Sequence, residues 1–168
     1  MDEYFPIITE DGTLIGKATR RECHGGTFLL HPVVHLHVFD SHGYLFLQKR
    51  SPNKDIQPGK WDTSVGGHVD FGESTEKALI REAGEELGIK QFKPVFAFRY
   101  PFRSDCEYEL INTFLTVYDG LIITDPTEIA EGRFWSVEEI HTNLGKEIFT
   151  PNFEMEIERV LEYSFRCL

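Results

Sequence analysis

The sequence predicts a layered α/β domain, and three observations carry that expectation. Apolar stretches of strand length occur in pairs before residue 50 and again between residues 95 and 118. A segment with helical apolar spacing covers about 75–87, between the two groups of strands, and a second helical repeat closes the chain. Strands with helices on either side bury both faces of a sheet, which gives a layered α/β architecture. At 168 residues, 40% hydrophobic and 13% aromatic, the chain suits a single domain over 1–168. Such a domain buries about 70% of its unfolded surface.

Ile7 to Ile15 reads as a hairpin closed at Asp11-Gly12, a dipeptide favoured in two-residue type I′ turns. Val33 to Phe39 and Tyr44 to Gln48 form a second pair of strands joined through Asp40 to Gly43. Ser51 to Lys60 holds Pro52, Pro58 and Gly59 and reads as a loop. Ser74 is a suitable N-cap and Gly88 a suitable left-handed stop for a helix over 75–87. Val95 to Tyr100 and Leu110 to Tyr118 are the next strands, connected by Arg103 to Cys106. Phe134 and Trp135 mark a short edge strand, Ser136 caps a short helix through His141, and Phe153 to Tyr163 has helical spacing.

The 75–87 helix carries the first chemistry. At 100° per residue, Glu82, Glu85 and Glu86 share roughly 100° of arc, while Leu79, Ile80, Ala83 and Leu87 fill the other side. The acids are therefore expected on one exposed edge. Like charges at these spacings oppose helix stability, as does their place near the C-terminus. A divalent cation reverses both penalties, whereas a solvated acidic face is the plain alternative.

The spacing of the whole segment is narrower. Gly67, Glu73, Arg81, Glu82, Glu85, Glu86, Gly88 and Ile89 match the pattern G-x5-E-x7-R-E-U-x-E-E-x-G-U, with Ala83 small at an aliphatic place. Residues 67–89 thus resemble the Nudix box. Seven fixed residue types at about one in fifteen each would match a given window by chance on the order of once in 10⁸. The resemblance implies a Nudix-type α/β/α sandwich, with a mixed sheet between helices. It also implies a pyrophosphohydrolase that uses Mg²⁺ or Mn²⁺, held by Glu82, Glu85, Glu86 and the carbonyl of Gly67. Glu82, Glu85, Glu86, Arg81 and Glu109 are the expected catalytic residues, with the general base open between Glu82 and Glu107 or Glu109. Glu73 and Gly88 have structural places in the box, Glu73 as the partner of Arg81.

A second constellation lies outside the box. His24 and His31 are seven apart, His68 follows Gly67, and Glu107 and Glu109 are spaced to share one strand face. Together with Gly59-Lys60-Trp61 and Ser64-Val65 they resemble the isopentenyl-diphosphate isomerase branch of the Nudix fold, whose metal is held by such histidines and a Glu-x-Glu. Where that branch has a proton-moving cysteine, this chain has Gly66, which has no titratable group. The intact box and Gly66 both favour hydrolysis over isomerisation. The His/Glu set is then a candidate second metal or diphosphate site. His35 and His37 share a strand face and read as partly buried polar residues, a ligand role being the alternative.

Composition excludes several other classes. A net charge of −11 disfavours a nucleic-acid polymer as partner, and no apolar run approaches the ~18 residues of a membrane span. Cys23, Cys106 and Cys167 have no CxxC spacing and read as reduced thiols of a cytoplasmic protein. The expected substrate is a nucleoside diphosphate derivative or a similar small organic diphosphate, with Lys49, Arg50, Lys54 and Lys60 as phosphate contacts. Trp61, Phe71, Tyr100 and Phe102 are either core residues or a platform for the attached group. A non-catalytic Nudix-like sensor is a third reading, opposed by the intact acids.

Overall fold

The computed structural model describes residues 2–168. β1 (Tyr4–Ile8) and β2 (Leu14–Thr19) form a separate antiparallel hairpin, followed by a single turn of helix, α1 (Arg20–Cys23). The main sheet has the order β5 (Trp61–Asp62), β4 (Leu45–Arg50), β3 (Leu30–Phe39), β8 (Tyr108–Val117), β7 (Val95–Arg103). Strand β6 (Val65–His68) adds to β3, and β9 (Ile129–Trp135) adds to β4. The β3–β8 pair is parallel and the other pairs are antiparallel, so the sheet is mixed.

All ten residues of β3 are buried because both faces of the sheet are covered. Val34, Leu36 and Val38 pack with Ala78, Leu79, Ala83 and Leu87 of α2 (Thr75–Leu87). On the opposite face Phe39, Leu45 and Leu47 pack with Phe153, Ile157, Val160 and Leu161 of α4 (Pro151–Cys167). Short α3 (Val137–Asn143) adds Ile140 to that second core. This is the α/β/α sandwich with a mixed sheet between helices.

Local signals set the helix ends. The Ser74 hydroxyl accepts from Lys77 N–H, and Gly88 takes φ +69° while the N–H groups of Gly88 and Ile89 bond back to Gly84 and Ala83. Thr150 caps α4 with Pro151 in its first turn, which starts that helix earlier than its apolar repeat does.

The structure corrects several boundaries. Asp11-Gly12 lies within a connection from Thr9 to Thr13, closed by Thr9 N–H to Thr13 C=O at 2.9 Å, so the first hairpin has no two-residue turn. Strand β9 pairs with all of β4 from Leu45 to Arg50 and is longer than Phe134-Trp135. Its polar Glu131 and Arg133 hide a strand period, and Gly132 is needed because a Cβ there would collide with the Phe46 ring. Ile80 is 50% exposed and Ala78 is buried in its place. The buried arc of α2 is rotated toward Ala78, so it takes in Glu82 and Glu86 and leaves Ile80 outside.

That rotation predicts unequal costs for neighbouring truncations. Leu79→Ala is expected to lose about 2–5 kcal/mol of stability by cavity formation, and Ile80→Ala less than about 1 kcal/mol. Urea unfolding of both variants measures the difference.

Candidate active site

The site is built around β6, the four residues that join the two halves of the chemistry. One guanidinium fixes this strand to α2. Arg81 donates from Nε and Nη2 to both oxygens of Glu73 at 3.1 and 2.9 Å, from Nη2 to the His68 carbonyl at 3.0 Å, and from Nη1 to Glu82 at 2.7 Å. Nη1 is also 3.5 Å from Glu85. These hydrogen bonds hold the Glu73 carboxyl below its ordinary range and hold Arg81 firmly protonated. Arg81, grouped by sequence with the catalytic residues and expected to pair with Glu73, is here a clamp between strand, loop and helix.

The three acids do not share one exposed edge. Glu85 faces solvent, whereas Glu82 and Glu86 are partly buried against β6. Glu86 accepts from the Gln48 amide at 2.7 Å and from the Gly66 N–H. Burial, then the neighbouring Glu82 charge, pushes Glu86 up to about 8, and burial also raises Glu82. A Cβ at Gly67 would overlap the Glu82 carboxyl, so the glycine leaves that side chain its place against β6. The acids line a cavity of about 640 Å³ with Arg20, Arg50 and Lys54, but Arg81 and Gln48 spread them apart. Gln48 was not expected from sequence.

The compact donor cluster is on the other side of β6. His24, His31 and His68 each bring a ring nitrogen within 4.8 Å of the others, as do His68, Glu107 and Glu109 among themselves. The elements explain the convergence. His31 is the second residue of β3 and pairs in register with Glu109 of β8. His68 ends β6, opposite Val33, and stacks on Phe5 of β1 at 4.4 Å between centroids. The capping box of Thr19 and Glu22 forms α1, whose end places His24.

Hydrogen bonds also set the tautomers. His31 Nδ1 donates to the Leu29 carbonyl at 2.9 Å, and His24 Nδ1 faces Glu107 at 3.0 Å. Their Nε2 lone pairs are thereby turned inward, where His24 and His68 Nε2 lie 3.1 Å apart. His31 Nε2 is buried without any hydrogen-bond partner. Burial pushes His24 down to about 4 and His68 well below its ordinary value, leaving neutral imidazoles. Burial and then the Glu107 charge push Glu109 up to about 7. An orphaned nitrogen, neutral histidines and two carboxylates are a donor set that fits a divalent transition-metal ion.

His35 and His37 are not partly exposed and do not join that cluster. Both donate to one oxygen of Glu156 at 2.8 Å, while Tyr100 and Thr113 hydroxyls donate to the other at 3.0 Å. Glu156 lies on the inward face of α4 and is 1% exposed. Its sequence position looked like any helix acid, so the network was not legible. Despite burial, the two histidines hold Glu156 well below the carboxylate range, and Glu156 raises His35 to about 9.

A cavity of about 470 Å³ lies over this side of β6, and it shares Arg20, Arg50, Lys54 and His68 with the acid-lined cavity. Lys49 and Lys60 line neither cavity. Trp61 belongs to the α4-side core, Phe71 is exposed beneath Lys17, and Phe102 alone of the four aromatics reaches the cavity. The three cysteines are free and none lines either cavity.

A family model for the NUDIX domain matches residues 29–153. An isopentenyl-diphosphate Delta-isomerase of Burkholderia multivorans is 32% identical over 165 residues, covering 95% of this chain and 93% of the relative. A Nudix hydrolase of Yersinia pestis with no assigned function is 31% identical over 150 residues, covering 89% and 81%. Among solved structures, DR0079 of Deinococcus radiodurans superposes with a TM-score of 0.81 and 25% identity, covering 94% of this chain and 98% of that one.

The Glu156 network predicts a pH dependence of stability. Because His35 is raised to about 9, its contribution is complete below its ordinary value of 6.5 and is lost as pH rises through 9. Glu156 is depressed, so its contribution is present above 4.5 and is lost as pH falls below that. The stability gap between the natural chain and Glu156→Gln, measured by denaturant midpoints, is expected to shrink between pH 7 and 10.

Proposed function

The chain belongs to the Nudix family as a pyrophosphate-cleaving hydrolase, and from that premise we propose that it is a Mg²⁺- or Mn²⁺-dependent enzyme acting on a small organic diphosphate. One observation carries this reading. Glu82, Glu85 and Glu86 line the same cavity as the cations Arg20, Arg50 and Lys54, against the glycine backbone of β6. Acids and cations together suit a metal-bound diphosphate, which neither set suits alone.

In this reading Glu82, Glu85, Glu86 and the Gly67 carbonyl would hold the metal, which would supply charge neutralisation for the diphosphate and a lowered pKa for water. Arg50 and Lys54 bind non-bridging oxygens from the loop side. Arg81 acts at one remove by fixing Glu82 and the His68 carbonyl. The proton of the water would go to Glu82 or, when no ion is held there, to Glu109, which burial pushes up to about 7 and so suits to the role of general base. A second ion fits His24, His31, His68, Glu107 and Glu109. We assign residues 1–168 to one catalytic domain working in the cytoplasm on nucleoside diphosphate derivatives or similar compounds. Among the described residues, no helix is long and apolar enough to cross a membrane.

The histidine–glutamate cluster favours a second reading, an isomerase of prenyl diphosphates like the Burkholderia relative. Against it stands Gly66, which offers no proton carrier at its place on β6, opposite His35. That reaction would carry solvent deuterium into isopentenyl diphosphate, and we expect none.

The test is incubation with Mg²⁺ or Mn²⁺ and a panel of nucleoside diphosphate derivatives, dinucleoside polyphosphates and isopentenyl diphosphate, with product identification. Glu85→Gln or Glu86→Gln is expected to lower turnover at least ~10²-fold, and turnover that survives these changes or a chelator would refute the mechanism. Separately, His31→Gln is expected to reduce the number of Mn²⁺ ions bound, counted by titration calorimetry, while leaving the acid-lined cavity able to bind.

A further inference from the structure

The cavity on the α4 side of β6 receives polar groups from several elements. His35, Asp62 and Glu109 line it from the sheet, and Thr150 and Asn152 line it from the start of α4. Val33, Ile56, Phe102 and Pro151 are its apolar contributions. Ligand cavities are commonly apolar with a few placed polar groups, whereas polar groups make up about half of the lining of this one.

His35, which lines this cavity, has an uncommitted edge. Its Nδ1 donates to Glu156 at 2.8 Å, which holds the ring by a buried carboxylate. Gly66 stands opposite in register, and a Cβ there would be 3.8 Å from His35 Nε2. The missing side chain leaves that edge of the ring open to the cavity. Asp62 offers the complementary acceptor. Its Oδ1 takes the Thr63 N–H at 2.8 Å and the Thr150 hydroxyl at 2.9 Å, and its Oδ2 is 3.3 Å from Arg50.

We propose that His35, oriented by Glu156, is a specificity-determining residue that hydrogen-bonds an oxygen of the organic group attached to the diphosphate, so that this group bears hydroxyls and is not a hydrocarbon chain. A hydrocarbon in this cavity would strip water from His35, Asp62 and Glu109 and return no hydrogen bonds. A hydroxyl-bearing group replaces that water in kind, and sites built this way reject analogues that lack the oxygen. Glu156 is a positioning residue, acting through the ring. The inference rests on the reading of the chain as a hydrolase of organic diphosphates.

The test uses the whole chain with ¹⁵N-labelled histidine, loaded with Mg²⁺ and titrated with ADP-ribose, UDP-glucose and geranyl diphosphate. The His35 Nε2 resonance is expected to move with at least one of the two sugar-bearing compounds and to stay still with geranyl diphosphate. In parallel, the ratio of kcat/KM for the sugar-bearing compound over geranyl diphosphate is expected to fall at least tenfold in His35→Phe. Glu156→Gln should produce the same loss mainly through KM. A resonance unmoved by both sugar compounds, or moved equally by geranyl diphosphate, overturns the proposal, and this measurement on the unmodified chain stands even if the variants fail to fold. Cleavage of geranyl diphosphate with His35 silent would sink the specificity role and spare the hydrolase reading. Movement of His35 by a sugar compound with no diphosphate in the panel cleaved would do the reverse.

Discussion

The Arg81 guanidinium holds β6 where both halves of the site need it. Its donors are divided among Glu73 in the loop, the His68 carbonyl at the end of β6, and Glu82 and Glu85 on α2. A planar fork can satisfy several acceptors at fixed angles, which a lysine ammonium cannot do in the same way. Because the His68 backbone is one of those acceptors, the position of the histidine cluster is tied to the acid helix. The carboxylates on one face and the imidazoles on the other are mechanically one unit.

The strand between them is thin by necessity. Gly67 has no Cβ because the Glu82 carboxyl occupies that space, and Gly66 has none where the strand faces His35. The adjacent pair therefore opens the two faces in alternation, as strand geometry requires. Side chains that would insulate one cavity from the other are absent, and Arg20, Arg50, Lys54 and His68 border both.

The buried charges follow one pattern on both faces. Glu86 and Glu109 are raised by desolvation, and neutral His24 and His68 are lowered by it, because the few partners each has do not offset burial. Glu156 is buried as deeply, yet four donors converge on it and it stays ionised. The contrast separates buried groups with few polar partners from one that is fully satisfied. It also accounts for β3 carrying three histidines in a strand that is buried throughout: His31 faces the donor cluster, while His35 and His37 meet Glu156.

Much of this was legible in the chain. The Ser74 and Gly88 ends of α2 and the strand pairs rest on local signals, which the sequence determines by itself, whereas the box and the set His24, His31, His68, Glu107 and Glu109 are singled out by their resemblance to family patterns. The rotation of α2 was not legible, because apolar periodicity gives the arc of Leu79, Ala83 and Leu87 but the sheet chooses how far that arc turns toward Ala78. Neither was Glu156, whose partners His35, Tyr100 and Thr113 come from β3, β7 and β8. Gln48 and the shared rim of the two cavities have the same origin. Residue type and spacing are carried along the chain, whereas the direction in which a side chain is buried, and hence its charge, is decided only when distant elements close around it.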